Sequence, residues 1–308
     1  MITLQGLTKR FDELTAVDHV DLTVPAGQLL ALLGPNGAGK TTTVRMLAAI
    51  LKPTAGSARV AGYDVVRDAQ SVRRNVGMLT ESPGLYERMS GWEYLDFFGE
   101  LWELPALARQ RRIDYLAERF EMQSALGRRL GQYSKGMMQK VTLMRTLLHE
   151  PAVLLLDEPT SAMDPASARL VRDMIMQLKS ERRAIIVCTH NLPEAEELAD
   201  QIAIIRQGQI VERGSLAELK QRLLGRPLME ARFVHSPTNG VRELVAEFAE
   251  VTTSGPDWVR YTTQEPAQVN PVLLQAFVRA DIPVLALEEV PRSLESVYLR
   301  VVGQAVGA

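Results

Sequence analysis

The chain of 308 residues contains a single cysteine, Cys188, so it has no partner for an internal disulfide. A reducing compartment fits that count, and Cys188, in the apolar run AIIVC, reads as a buried and inert thiol. Long apolar runs are also missing. Stretches such as VLLL at 153–156 fall far short of the ~20 residues that a membrane-crossing helix needs. The opening MITLQGLTKRF lacks the apolar core of a signal peptide, and the expectation is a cytosolic chain. No excess of one charge is present: Lys and Arg number 35 against 37 Asp and Glu, a formal net charge of −2. That balance supplies no concentrated basic surface, so no nucleic-acid partner is expected. The clusters Arg109-Gln110-Arg111-Arg112 and Arg128-Arg129 are local and read as solvated faces. Repeats and low-complexity segments are absent. The composition, 46% hydrophobic and 23% charged, is that of a folded protein long enough to bury a full core.

What is present alternates. Short apolar runs predict strands near 2–7, 19–24, 28–33, 57–60, 75–79, 153–157, 184–188, 202–206 and 209–213. Helical patterns lie between them near 40–50, 90–104, 110–121, 135–149, 165–179 and 191–198. Strands interleaved with helices indicate an α/β fold with a parallel sheet, and residues 81–150, helical throughout, read as an inserted subdomain. Leu224-Gly225-Arg226-Pro227 marks a boundary, giving domains 1–224 and 225–308. Beyond it, LMEARFV, WVRYTT and VLALEEV alternate with helical stretches, which predicts a small α+β domain of ferredoxin-like kind.

The strongest local signal is LLALLGPNGAGKTTTVRML: an apolar strand, then Gly34-x4-Gly39-Lys40-Thr41, then an amphipathic helix. Glycines let the backbone wrap with its N–H groups turned inward, and the helix start adds free N–H groups and a positive dipole end. Lys40 can reach β and γ oxygens, and the Thr41 hydroxyl is suited to Mg²⁺. The chain is therefore expected to bind a nucleoside triphosphate. Downstream, AVLLLDEPTSAMD ends a wholly apolar run in two acids. At the C-terminal end of a buried parallel strand, Asp157 would hold Mg²⁺ together with Thr41. Glu158, the next residue, can deprotonate a water for attack on the γ-phosphate. A second apolar strand ends in Thr189-His190, and His190 would reach the same edge and contact the γ-phosphate.

In this order, these residues resemble the nucleotide-binding subunits of ATP-binding cassette (ABC) transporters over about residues 1–220. The resemblance makes GPNGAGKTT (Gly34, Pro35, Asn36, Gly37, Ala38, Gly39, Lys40, Thr41 and Thr42) the Walker A loop. It makes VLLLDE the Walker B strand with its catalytic glutamate, SAMD, ending at Asp164, the D-loop, and His190 the switch histidine. Phe11 takes the place of the aromatic that stacks on adenine. YSKGM, with Ser134, Lys135, Gly136 and Met137, resembles the signature segment, whose helix start docks on the γ-phosphate held by a second subunit. The stripe Met137, Val141, Met144, Leu148 on the following helix reads as core. Three positions depart from the family pattern: Lys135 replaces the first signature glycine, Met137 the final signature glutamine, and Glu81 stands where the family has the Q-loop glutamine. A carboxylate at 81 can still ligate Mg²⁺, but it adds negative charge beside phosphates.

The resemblance implies ATP and Mg²⁺ as cofactors and a homodimer or heterodimer of such subunits. It also implies a separate membrane-spanning permease that holds the chain at the cytoplasmic face of the membrane. The YSKGM form and the ending PRSLESVYLRVVG are similar to bacterial exporters of drugs, antibiotics, sodium or lipid-like compounds. Trp92, Tyr94, Phe97, Phe98 and Trp102 read both as subdomain core and as the groove for a permease helix. Other readings are a soluble cassette ATPase acting on nucleic acid or ribosomes, and a non-catalytic ATP-gated regulator. The single cassette and lack of heptads argue against the first, and Glu158 with His190 argues against the second.

Overall fold

The computed structural model describes residues 1–80, 84–161, 163–180, 183–236, 240–290 and 292–303. The chain forms two compact units, Met1–Leu216 and a second beginning at Ala217. The sequence reading put the division after Leu224; here the helix Leu216–Leu224 counts almost wholly with the second unit.

The strands of the first unit are β1 (Ile2–Phe11), β2 (Leu14–Val24), β3 (Leu29–Leu33), β4 (Ala55–Val60), β5 (Tyr63–Asp64), β6 (Val76–Leu79), β7 (Val153–Asp157), β8 (Ala184–Thr189), β9 (Gln201–Arg206) and β10 (Gln209–Gly214). An antiparallel sheet has the order β2-β1-β4-β5, and the central sheet has the order β10-β9-β3-β8-β7-β6. In the central sheet β9, β3, β8, β7 and β6 run parallel, and β10 closes one edge antiparallel. Every residue of β3, β7 and β8 is buried, as continuous Leu/Ile/Val runs require when both faces are covered. The register pairs Leu33 with Thr189 and Asp157 with Cys188, so the three strands end side by side at their C-terminal edge.

The helices are α1 (Lys40–Leu47), α2 (Ala69–Asn75), α3 (Gly91–Leu101), α4 (Ala106–Arg119), α5 (Lys135–Leu147), α6 (Pro165–Ser180) and α7 (Leu192–Leu198). The start of α3 is fixed by a capping box: Glu93 N–H donates to Ser90 Oγ at 3.2 Å and Ser90 N–H donates to Glu93 Oε2 at 2.7 Å. Val141, Met144 and Leu148 are buried in one core with Tyr94, Ile113, Leu116 and Phe120, and Met137 packs at its margin, as the helical spacing predicts. Helix α2 escapes sequence reading because AQSVRRN offers one buried apolar residue, Val72.

The second unit begins with α8 (Leu216–Leu224) and continues through β11 (Leu228–Phe233), α9 (Val241–Ala246), β12 (Glu250–Ser254), β13 (Trp258–Thr262), α10 (Pro266–Arg279), β14 (Val284–Glu289) and α11 (Leu294–Gly303). From β11 to β14 the order is βαββαβ. The sheet, β12-β13-β11-β14, is antiparallel throughout, which is the ferredoxin-like arrangement. Met229, Ala231, Phe233, Val259 and Tyr261 form the core with Leu273 and Phe277 of α10. Strand β12 is not visible in the sequence because EVTTS holds one apolar residue and lies almost wholly exposed.

Candidate functional site

The loop between β3 and α1 is shaped by its glycines. Gly37 and Gly39 have φ of +81° and +107°, the left-handed region that a side chain disfavours. At Gly39 a Cβ would also lie 2.5 Å from the Ala16 carbonyl oxygen, and at Gly34 it would lie 2.3 Å from that of Ile205. Pro35, Asn36 and Gly37 form the exposed crest, while Ala38 is buried. Helix α1 starts at Lys40 with no side-chain cap, so its first N–H groups, from Lys40 to Thr42, face the cleft at the positive end of the helix dipole. The Lys40 ammonium is buried and donates to the carbonyls of Gly34 at 2.6 Å and Pro35 at 3.1 Å. Two backbone carbonyls thus hold the Lys40 side chain inside the loop.

The strand ends supply the opposite charge. Thr41 Oγ1 donates to Asp157 Oδ2 at 2.8 Å, which joins α1 to the end of β7. Glu158 leaves the strand with φ +51°, its N–H bonded to the Cys188 carbonyl at 2.9 Å. This turn swings its carboxylate away from Asp157 and toward β8. There Oε1 accepts the His190 N–H at 3.1 Å and lies 2.7 Å from His190 Nδ1, and Oε2 accepts the Thr189 hydroxyl at 3.4 Å. The Glu158 side chain is 11% exposed and the imidazole 68%, so the pair runs from the protein interior to the surface.

These residues surround one cleft of about 400 Å³. Phe11, at the end of β1, forms a wall with Leu14 and Ala16; Asn36 to Thr42 form the floor; Asp157, Glu158 and His190 stand opposite. Phe11 is 41% exposed, and the Lys9 ammonium lies 4.9 Å from its ring centroid.

A second group of predicted residues lies outside this cleft. Ser134 caps α5, accepting the Met137 N–H at 3.2 Å, and with Lys135 it is exposed. Asp164 accepts the N–H groups of Ala166 at 3.1 Å and Ser167 at 3.0 Å. Those bonds, Ser167 first, hold its carboxyl below the ordinary carboxylate range. A Cβ at Gly136 would meet Asp164 Oδ2 and Ser167 Oγ no closer than 3.9 Å, so Gly136 and Asp164 share one surface. Nothing in the described chain crowds Gly136. Glu81 lies outside the described residues.

Three buried polar residues back the Glu158 turn behind the cleft although no motif assigned them a role. Gln139 of α5 donates to the carbonyls of Glu158 and Pro159, Thr189 contacts Glu158, and Glu194 of α7 accepts the Thr160 hydroxyl. The available signal was a glutamine just past YSKGM and an acid four residues after His190, both without apparent partners in sequence.

Comparison with known proteins agrees with this geometry. The ABC transporter family model matches residues 17–161. The "ABC transporter ATP-binding protein NatA" of Bacillus subtilis is 40% identical over 224 residues, covering 71% of this chain and 91% of the relative. The "Daunorubicin/doxorubicin resistance ATP-binding protein DrrA" of Streptomyces peucetius is 34% identical over 306 residues, covering 98% and 92%. Among solved structures, an ATP-binding subunit of an ABC transporter superposes with a TM-score of 0.68 at 27% identity, over 73% of this chain and 94% of that one. A dimeric cassette bound to ADP and Pi has the same fold, with a TM-score of 0.65 at 22% identity over 70% and 99%. This chain belongs to the ATP-binding proteins of the ABC transporter family, in the company of the drug-resistance members.

Proposed function

We propose that this chain is the ATP-hydrolysing subunit of an exporter whose membrane-spanning part is a separate chain, and that two such subunits close on two ATP molecules. The observation that carries this reading is the division of the polar residues into two surfaces. The cleft has a phosphate loop, a base and a histidine. The other surface has a helix start and a glycine for which the described chain gives no packing reason. A second subunit supplies that reason: the Ser134 hydroxyl, whose oxygen already accepts the Met137 N–H, and the N–H groups at Lys135 and Gly136 engage the γ-phosphate across the interface, with Met137 and Asp164 lining the same contact. Dimeric cassettes of this fold support the pairing.

In the cleft, the N–H groups of residues 37–42 and the Lys40 ammonium bind the phosphates, and Phe11 offers its exposed face to the adenine. The Thr41 hydroxyl and Asp157 carboxylate, bonded to each other at 2.8 Å, are hard oxygen donors of the kind that hold Mg²⁺. No cluster of three His, Cys, Asp or Glu occurs among the described residues, so the phosphates would complete the ligand set. Bound there, Mg²⁺ supplies neutralisation of β- and γ-phosphate charge. Glu158 takes the proton of the attacking water, and His190, held by Glu158 through Nδ1, keeps Nε2 for the γ-phosphate.

The permease contact is assigned to the aromatic edge of the helical subdomain. Tyr94 is fully buried and serves the core. Tyr86 and Phe97 are exposed, with ring centroids 6.1 Å apart, and form a surface for a membrane partner's cytoplasmic helix. No helix among the described residues is long and apolar enough to cross a membrane, so attachment to the cytoplasmic face would run through that partner. Purifying the tagged chain from its own membranes in mild detergent tests this. A stoichiometric polytopic protein is the expected companion. Recovery of the chain alone, or with ribosomes or nucleic acid, would overturn the exporter assignment.

A further inference from the structure

The turn that carries Glu158 is gripped from both sides. At φ +51° this glutamate has a left-handed backbone that a residue with a Cβ adopts infrequently. Within the turn, the Ser161 N–H donates to the Glu158 carbonyl at 3.2 Å. From α5, buried Gln139 donates Nε2 to the carbonyls of Pro159 at 3.2 Å and Glu158 at 3.4 Å. From α7, buried Glu194 accepts the Thr160 hydroxyl at 2.6 Å. Glu194 is itself set by Asn191, whose Oδ1 accepts its N–H at 3.2 Å. Burial pushes the Glu194 carboxyl up, the hydroxyls of Thr160 and Thr189 oppose that shift, and the charge of Glu158 adds to it. Two buried polar side chains, from two helices, thus bond three consecutive residues, and Glu194 also meets the Thr189 hydroxyl.

We propose that Gln139 and Glu194 are positioning residues that clamp the Glu158–Thr160 turn and thereby aim the Glu158 carboxylate into the cleft. The proposal rests on the reading of Glu158 as the base. It has a consequence for the dimer. Gln139 stands on the helix that Ser134 caps, so the clamp ties the base of one ATP site to the segment assigned to close the other.

The test uses the full chain with three substitutions. Gln139→Leu removes the amide, Thr160→Val removes the hydroxyl at nearly constant volume, and Thr160→Ser restores it. ATP turnover, equilibrium ATP binding and amide hydrogen exchange are measured on each. A misaimed base predicts that kcat falls about 10- to 100-fold in Gln139→Leu and Thr160→Val while ATP affinity stays within about twofold. The Ser161 and His190 amides should exchange about tenfold faster with the 34–42 loop unchanged, and Thr160→Ser should recover kcat to within about threefold. Added to Glu158→Gln, Gln139→Leu should cause no further loss, because both act through one group. Parent-like kcat in Gln139→Leu and Thr160→Val, with Glu158→Gln inactive, would overturn the clamp. So would a parallel fall in affinity, melting temperature and protection across the whole unit. If Glu158→Gln keeps full turnover, the base assignment fails, and exchange at Ser161 and His190 alone decides whether the clamp exists.

Discussion

The two units of this chain place their charges differently. In the first, the buried ammonium of Lys40, at the start of α1, rests on two carbonyls, and the Asp157 carboxylate, at the end of β7, accepts a hydroxyl, both lining one cleft. In the second, the buried carboxylate of Glu230 lies mid-strand on β11 between Arg232 and Arg260. Those guanidiniums, Arg232 first, hold it below the ordinary carboxylate range. On the proposed function, Lys40 and Asp157 make contacts with backbone carbonyls and a hydroxyl that can be exchanged for phosphate or metal. A charge kept for structure is neutralised where it stands. The sheets show the same contrast. Parallel strands covered on both faces bring their ends to one edge, whereas the antiparallel sheet of the second unit alternates, with Met229, Ala231 and Phe233 in its core.

That comparison can be broken most severely at the loop. Gly39→Ala forces a Cβ to within 2.5 Å of the Ala16 carbonyl at φ +107°, and it should cost about 2–4 kcal/mol of stability together with ATP binding. Chemical denaturation and nucleotide titration would measure both. Lys40→Ala should weaken ATP binding by about 1.5–3 kcal/mol through loss of charge-assisted hydrogen bonds, with a small effect on melting. Unchanged affinity would remove Lys40 from the phosphate site. Glu230→Gln should do the reverse, costing about 1–2 kcal/mol of second-unit stability and leaving ATP affinity at the parent value. Because the Glu230 carboxyl is lowered, its contribution is present above the unfolded carboxylate pKa and lost as pH falls through the folded one. Parent and variant should therefore converge in acid.

The smallest effect is expected at His149. It stacks on Trp102 with centroids 3.9 Å apart, Nε2 lies 3.1 Å from the Val76 carbonyl, and Nδ1 is buried with no hydrogen-bond partner among the described residues. Burial lowers its pKa from the ordinary 6.5. The neutral ring is favoured in the folded state, so stability should fall as pH drops below about 6.5, and the slope ends at the lowered folded value. His149→Phe should flatten that slope by a few tenths of a kcal/mol to about 1 kcal/mol, read from melting between pH 7 and 5.

The central sheet and the cleft were legible because their determinants are local in sequence. LLALLGPNGAGKTT writes strand, loop and helix start consecutively, and VLLLDE ends a buried strand in its acids. Gln139, Thr189 and Glu194 were not legible, because each acquires meaning only through a contact made by the folded chain, such as Gln139 with Pro159 twenty residues on. The second unit shows a related limit. Its three strands with apolar alternation could be read, but β12 has no such pattern and joins the sheet only because β13 offers it an edge. The ferredoxin-like order could be expected from strand and helix succession, yet the fourth strand had to be seen.

The account turns on Glu158 as the base of a site that two subunits complete. The most direct measurement is ATP turnover, ATP binding and oligomeric state of the full-length Glu158→Gln variant with ATP and Mg²⁺. Turnover should fall by about 10²- to 10⁴-fold while ATP stays bound and holds the chain as a dimer. Undiminished turnover, or a variant that binds ATP and remains a monomer, would contradict it.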